Sequence, residues 1–210
     1  MKKAATSAAV LALFTLAACA TSTPDRAVKA ASSLEVMHGN SSKARAQIDT
    51  VLTSLDTLLN ASPDKLRETY DRYEKDVKQM NAYAADMREN DADLRTNGNA
   101  YLAQWQRDAS KVSDPELRAL AEQRRKQITR SSEEMRSKVT LAAGSFAGFL
   151  RDINDIQKVI GNDLTAVGQR NVKDTAVAQT AVSEGFRVKA AVHSAEQAIE
   201  GFRLEITPAS

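Results

Sequence analysis

The sequence predicts an all-α protein: an elongated antiparallel four-helix bundle, coiled-coil-like, preceded by a short signal-peptide helix. Three observations predict it. Apolar residues recur at a mean step of about 3.5 residues along most of the chain. Beyond Pro24, only Pro63, Pro115 and Pro208 interrupt it. Aromatic residues are 5% of the 210, β-branched runs are scarce, and Ala, Leu, Glu, Lys, Arg and Gln dominate, which is a helical composition.

The first element is a leader. Lys2-Lys3 precedes a charge-free run from Ala4 to Ala20, the pattern of a bacterial export signal. Its apolar part is shorter than the ~20 residues of a membrane span. It ends in Leu16-Ala17-Ala18-Cys19, which matches a lipobox. Small residues at Ala17 and Ala18 let the extended chain enter a peptidase cleft. The Cys19 thiol accepts a diacylglycerol, and cleavage frees its amine for a third acyl chain. Each buried methylene contributes ~0.8 kcal/mol, so two or three chains anchor stably. The expected organisation is a lipoprotein signal peptide at 1–18, a lipidated tether at 19–24, a bundle at 25–205 and a C-terminal tail at 206–210. Ala20, where inner-membrane lipoproteins carry Asp, favours the periplasmic face of the outer membrane of a Gram-negative bacterium.

Helix-start signals divide the bundle. Ser62-Pro63-Asp64 and Ser113-Asp114-Pro115-Glu116 each place a capping side chain, then a proline with no N–H to strand, then an acid at the positive helix end. Gly161-Asn162-Asp163 offers a left-handed stop. Four segments result: 25–60, 63–112, 114–161 and 163–204.

Each segment carries a stripe. The third reads Ile128, Ser132, Met135, Val139, Ala142, Phe146, Phe149, Ile153, Ile156 and Ile160, with only Ser132 polar. The second runs from Leu66 through Tyr70, Tyr73, Val77, Met80 and Ala84 to Leu94, Gly98, Tyr101 and Trp105, with Asp91 its one charge. The first shows Ile48, Leu52, Leu55 and Leu59. The last shows Ala178, Ala181, Gly185, Val188, Val192, Ala195, Ile199 and Phe202. A 3.5-residue repeat implies gentle left-handed supercoiling. Short connections make each helix double back. Gly39-Asn40-Ser41 and Asn97-Gly98-Asn99 are the places for a kink or a close crossing.

The charge balance narrows function. There are 29 Lys plus Arg against 27 Asp plus Glu. Without Lys2 and Lys3 the mature chain is neutral, which is a poor footprint for nucleic acid. One cysteine excludes a disulfide framework and a cysteine-based zinc site. Glu35-x-x-His38 resembles half of a di-iron helical motif. The other histidine, His193, has Ala190 three residues before it, so the second half is missing. Exposed polar residues beside a break account for the pair. Arg118, Arg124, Arg125, Lys126 and Arg130 form a basic stretch that Glu116, Glu122, Glu133 and Glu134 balance. Trp105, Tyr101 and Leu102 sit on or beside the stripe and are expected to pack in the core. Tyr70, Tyr73 and Tyr83 follow the same logic, with hydroxyls expected at the rim. No phosphate loop, nucleophile elbow or catalytic carboxylate pair is recognisable.

Asn99-Ala100-Tyr101-Leu102-Ala103-Gln104-Trp105, Ser113-Asp114-Pro115-Glu116-Leu117-Arg118, and Arg124-Arg125-Lys126 with Ile128 resemble domain-of-unknown-function family 2959. Its members are bacterial lipoproteins of about this length. The resemblance covers about residues 25–205. It implies a coiled-coil-like envelope lipoprotein and carries over no catalytic residue. The first helix departs from the family in being less charged and in its Gly39-Asn40 interruption.

The expected function is therefore a spacer, scaffold or adaptor held to the membrane by lipid, with no catalysis, metal or cofactor. Its expected partners are the membrane, through the N-terminal acyl chains, and a protein partner or second copy, but no nucleic acid. The alternative is a module binding lipid or another apolar ligand between helices, with a groove along the small residues of the last one.

Overall fold

The computed structural model describes residues 22–208. The leader, the lipobox and Cys19 lie outside them. Five helices follow in order: α1 (Thr23–Leu59), α2 (Leu66–Ser110), α3 (Pro115–Asn162), α4 (Ala166–Lys173) and α5 (Ala176–Ile206). No strand occurs among the described residues. None of the described helices is long and apolar enough to cross a membrane.

α1 opens on a capping box. Ser22 Oγ accepts from Asp25 N at 3.3 Å, and Asp25 Oδ2 accepts from Ser22 N at 3.0 Å. That box puts Pro24 in the first turn, so the helix begins inside the segment expected to be tether. α3 starts as expected: Asp114 Oδ1 accepts from Glu116 N and Leu117 N, each at 2.9 Å. α2 does not. The Ser62 hydroxyl donates to Asp64 Oδ1 at 2.6 Å rather than accepting a helix N–H. Lys65 N bonds Ser62 O, and the helix proper starts only at Leu66. α3 ends at Asn162 without a left-handed residue. Gly161 serves packing there, because a Cβ would overlap the Tyr70 hydroxyl. α1 and α2 run unbroken through Gly39 and Gly98.

The expected fourth segment is two helices. Thr165 Oγ1 accepts from Gly168 N at 3.1 Å, and Thr175 Oγ1 accepts from Ala178 N at 3.2 Å. Each threonine caps a new start. The short α4 closes the bundle end. Gln169, almost fully buried, donates Nε2 to Leu58 O at 2.6 Å and Ala61 O at 3.0 Å. Leu58 O, in the last turn of α1, also accepts from Ala61 N at 3.3 Å, and Ala61 O lies just past the helix end, so Gln169 adds a donor where helical N–H groups run out.

The four long helices form an up-down-up-down ring, α1–α2–α3–α5. Cross-links fix the antiparallel sense: Thr23 to Asp108, Asn81 to Asn154, Arg124 to Glu205, and Lys189 to Asp49. At ~1.5 Å per residue, α3 is about 70 Å long. Two core clusters stack along this axis. One gathers Ile48, Leu55, Tyr73, Val77, Phe149 and Ile153 in the half carrying the α1–α2 turn. The other gathers Leu34, Met37, Tyr101, Ile128, Met135 and Phe202 in the half carrying the N-terminus. Val139 packs against both.

Gly185 sets the approach of α5 to α1. A Cβ there would lie 2.5 Å from Leu52 Cδ1 and 3.4 Å from Ile48 Cγ2. Gly185→Leu is expected to cost about 1–3 kcal/mol through overpacking. Gly201 has nothing within 4 Å of its Cβ position. Gly201→Ala is expected to gain about 0.5–1 kcal/mol. Urea midpoints moving in opposite directions would bear this out. A parallel shift would refute the close α1–α5 approach.

Candidate functional site

Between the two core clusters the bundle narrows in side-chain volume. Ser41, Ala84, Ala142 and Ala195, one from each long helix, are all buried and all line one cavity of about 230 Å³. Met37, Met87, Val139, Phe146, Leu150, Val192 and Ile199 add to its apolar wall. Close-packed interiors hold few voids larger than a water. A dry, closed void of this size would cost about 5 kcal/mol at ~24 cal/mol per Å³.

The cavity opens along the α2–α3 seam. Exposed Thr140, Ala143 and Ala147 of α3 line that side, and Arg88, Asp91 and Arg95 of α2 stand opposite. Arg95 Nε donates to Asp91 Oδ2 at 2.8 Å. The mouth therefore carries two guanidinium groups and one carboxylate beside short α3 side chains. Asp91, the one charge of the predicted α2 stripe, is half-buried here at the rim. α5 supplies the cavity floor through Val192, Ala195 and Ile199.

A second polar feature joins α1 to α5. The Glu196 side chain is 5% exposed. Arg45 Nε donates to its Oε1 at 3.2 Å and lies 3.1 Å from Oε2. His193 Nδ1 is 3.3 Å from Oε2. Neither Glu196 nor Arg45 stood out in the sequence. The signal available was a glutamate one turn after His193, at the edge of an apolar stripe.

Most of the predicted aromatic and basic residues pack or pair within the bundle. Glu35 and His38 lie on α1 opposite α5. Arg203 holds the Glu200 carboxyl below its ordinary range, and His38 adds to the effect through space. No group of three or more metal-ligating side chains occurs among the described residues. The basic stretch is partly absorbed. Arg124 grips Glu205 through Oε1 at 2.8 Å and the carbonyl at 3.0 Å. Arg125 forks onto Glu122 at 2.6 and 2.8 Å. Arg118 turns back onto Val112 O at 2.8 Å.

Tyr101 is buried and meets Trp105 edge to face, with ring centroids 5.9 Å apart. Burial pushes its hydroxyl pKa up to about 12. Trp105 Nε1 donates to Ala121 O at 3.3 Å, and Leu102 packs beside it. Tyr70 and Tyr83 sit at the margin of the core. Tyr73 departs from the expectation of a rim hydroxyl. Its ring is fully buried, and the hydroxyl donates to Ile153 O at 2.9 Å inside the core.

The profile of a family described as protein of unknown function (DUF2959) matches residues 28–202. This chain belongs to the DUF2959 family. No curated protein and no solved structure matches it. The DUF2959 match takes in α2 and α3 whole, most of α1 and α5, the cavity and the Arg45–Glu196 pair.

Proposed function

We propose that this DUF2959 protein is a lipid-anchored cell-envelope protein. Its bundle acts as a spacer, scaffold or adaptor in the periplasm and carries no catalytic activity. What supports this reading is the short stretch of sequence between Cys19 and the first helix. Only Ala20 and Thr21 separate Cys19 from Ser22, where the capping box opens α1. Extended chain covers at most ~3.6 Å per residue, so the N-terminal pole stays within about 10 Å of an anchored Cys19. The opposite pole, with the α1–α2 turn and α4, then stands about 70 Å into the periplasm. The membrane is met through the acyl chains, and a protein partner or second copy is met along the rod.

Metabolic labelling with an alkyne fatty acid tests the anchor. Label is expected on the native chain and absent from Cys19→Ala, which leaves the outer-membrane fraction. Equal labelling of both would remove the reading.

The cavity supports a second reading, a module that binds a lipid or another apolar ligand in envelope lipid handling. A seam-opening apolar space lined by all four long helices is the usual place for a bundle ligand. Its volume is below the ~300 Å³ of a drug-sized site, which restricts the occupant.

A further inference from the structure

We infer that the mid-bundle cavity holds one medium-length acyl chain whose anionic head rests on Arg88 and Arg95. This rests on the ligand-binding reading above and names its chemical class. The wall decides the chain. Met37, Ala142, Phe146, Leu150 and Ile199 offer hydrocarbon contact, and a buried ligand group with no hydrogen-bond partner would be penalised there. The volume decides its length. An apolar cavity of ~150 Å³ accommodates benzene, with six carbons. On that scale 230 Å³ takes about nine carbons, too few for two chains.

The mouth decides the head group. Arg88 and Arg95 stand on one face of α2, seven residues apart with Asp91 between them. One carboxylate against two guanidinium groups leaves a net positive rim. A guanidinium presents several N–H donors to carboxylate or phosphate oxygens. Thr140, Ala143 and Ala147 opposite are short enough to leave the entry open. A cationic or zwitterionic head has no matching anion beyond Asp91, which Arg95 already engages at 2.8 Å.

The test uses residues 22–210, which contain all five described helices and both core clusters, titrated calorimetrically with single-chain amphiphiles. Decanoate and decyl phosphate are expected to bind one to one. Affinity should rise about fourfold per methylene from hexanoate to about decanoate and then level off. Decyltrimethylammonium should bind at least tenfold more weakly. Arg88→Gln with Arg95→Gln should weaken decanoate about tenfold and leave decanol unchanged. Ala142→Leu should abolish binding of all of them. Ala143→Leu, on the exposed rim, serves if circular dichroism shows that Ala142→Leu does not fold. Equal affinity for the ammonium and carboxylate amphiphiles would overturn the anionic-head inference while the cavity reading stands. Affinity that climbs without levelling would mark surface partition and overturn the enclosed chain. No binding by any of them, decanol included, would remove both the inference and the reading beneath it.

Discussion

Tyr73→Ala is expected to remove about 4 kcal/mol of folding stability, and Tyr73→Phe only about 1 kcal/mol. The ring is 0% exposed and packs in the cluster of Val77, Phe149 and Ile153. Truncation deletes the transfer energy of a whole aromatic ring and leaves a cavity that long, stiff helices cannot collapse around. Phe keeps that volume. It loses only the bond from the hydroxyl to Ile153 O, 2.9 Å long. Ile153 lies inside α3, so its carbonyl keeps its helical N–H partner and no buried acceptor is orphaned. The same burial raises the Tyr73 pKa far above the ordinary tyrosine value, so the phenol stays a donor wherever the protein is folded. Urea unfolding followed by circular dichroism measures both variants. Native stability of a domain this size is about 5–15 kcal/mol, so the Ala variant should unfold at visibly lower urea. A loss below about 1.5 kcal/mol for Tyr73→Ala would mean that the ring is not in the core.

The same residue shows what periodicity encodes and what it leaves out. A 3.5-residue stripe names the buried face whatever packs against it. Nine of the ten α3 positions are buried, and Val139 is half-buried between the two clusters. All eight α5 positions are buried. Tyr73 was on its stripe, but the direction of its hydroxyl depended on where α3 brings a carbonyl. The N-terminal half of α1 hid its stripe for a different reason. Ala27, Ala30, Leu34, Met37, Ser41 and Ala44 keep the three-and-four spacing and are buried, yet all but Leu34 and Met37 are small and contrast weakly with an exposed face. The break at Asp174-Thr175 was invisible to periodicity, since Val172 and Ala178 both stay buried across it. The local signal was the threonine cap.

The cavity was less legible than the fold. It arises where small residues of four helices share one layer. Sequence marks Ala84, Ala142 and Ala195 as stripe positions one at a time. Which of them meet depends on the register between helices, set by the turns and by cross-links such as Asn81 to Asn154. The charged rim was partly visible, because Asp91 was the one ionised residue on an otherwise apolar stripe. An intrusion of that kind records either an opening in the bundle or a cost to it. Here Arg95 and the α2–α3 seam make it an opening.

Register also governs the second large effect. Arg45→Ala is expected to destabilise the bundle by about 3 kcal/mol, the lower end of the range for breaking a buried ion pair. The lower end applies because the Arg45 side chain is 37% exposed while that of Glu196 is 5% exposed. Removing the arginine leaves a carboxylate that folding has already taken out of water, with His193 as its remaining neighbour at 3.3 Å. Removing both charges is a different perturbation. Arg45→Met with Glu196→Leu takes away the attraction and the desolvation penalty together, and is expected to lie within about 1 kcal/mol of the native chain. A double-mutant cycle by urea denaturation separates these terms. A single-variant loss under about 0.5 kcal/mol would show that the carboxylate reaches water without Arg45. The stable double variant then asks why a neutral bundle keeps a buried charge between two alanine-rich helix faces. α1 and α5 meet through small residues near this pair: Ala44 is fully buried on α1, and Ala195 is adjacent to Glu196 on α5. Apolar contacts of that size tolerate a slip along the helix axis, whereas Arg45–Glu196 and Lys189–Asp49 are each satisfied in one alignment. We expect the double variant to keep its stability and lose uniqueness. Amide exchange along α5 would then quicken at an unchanged unfolding midpoint.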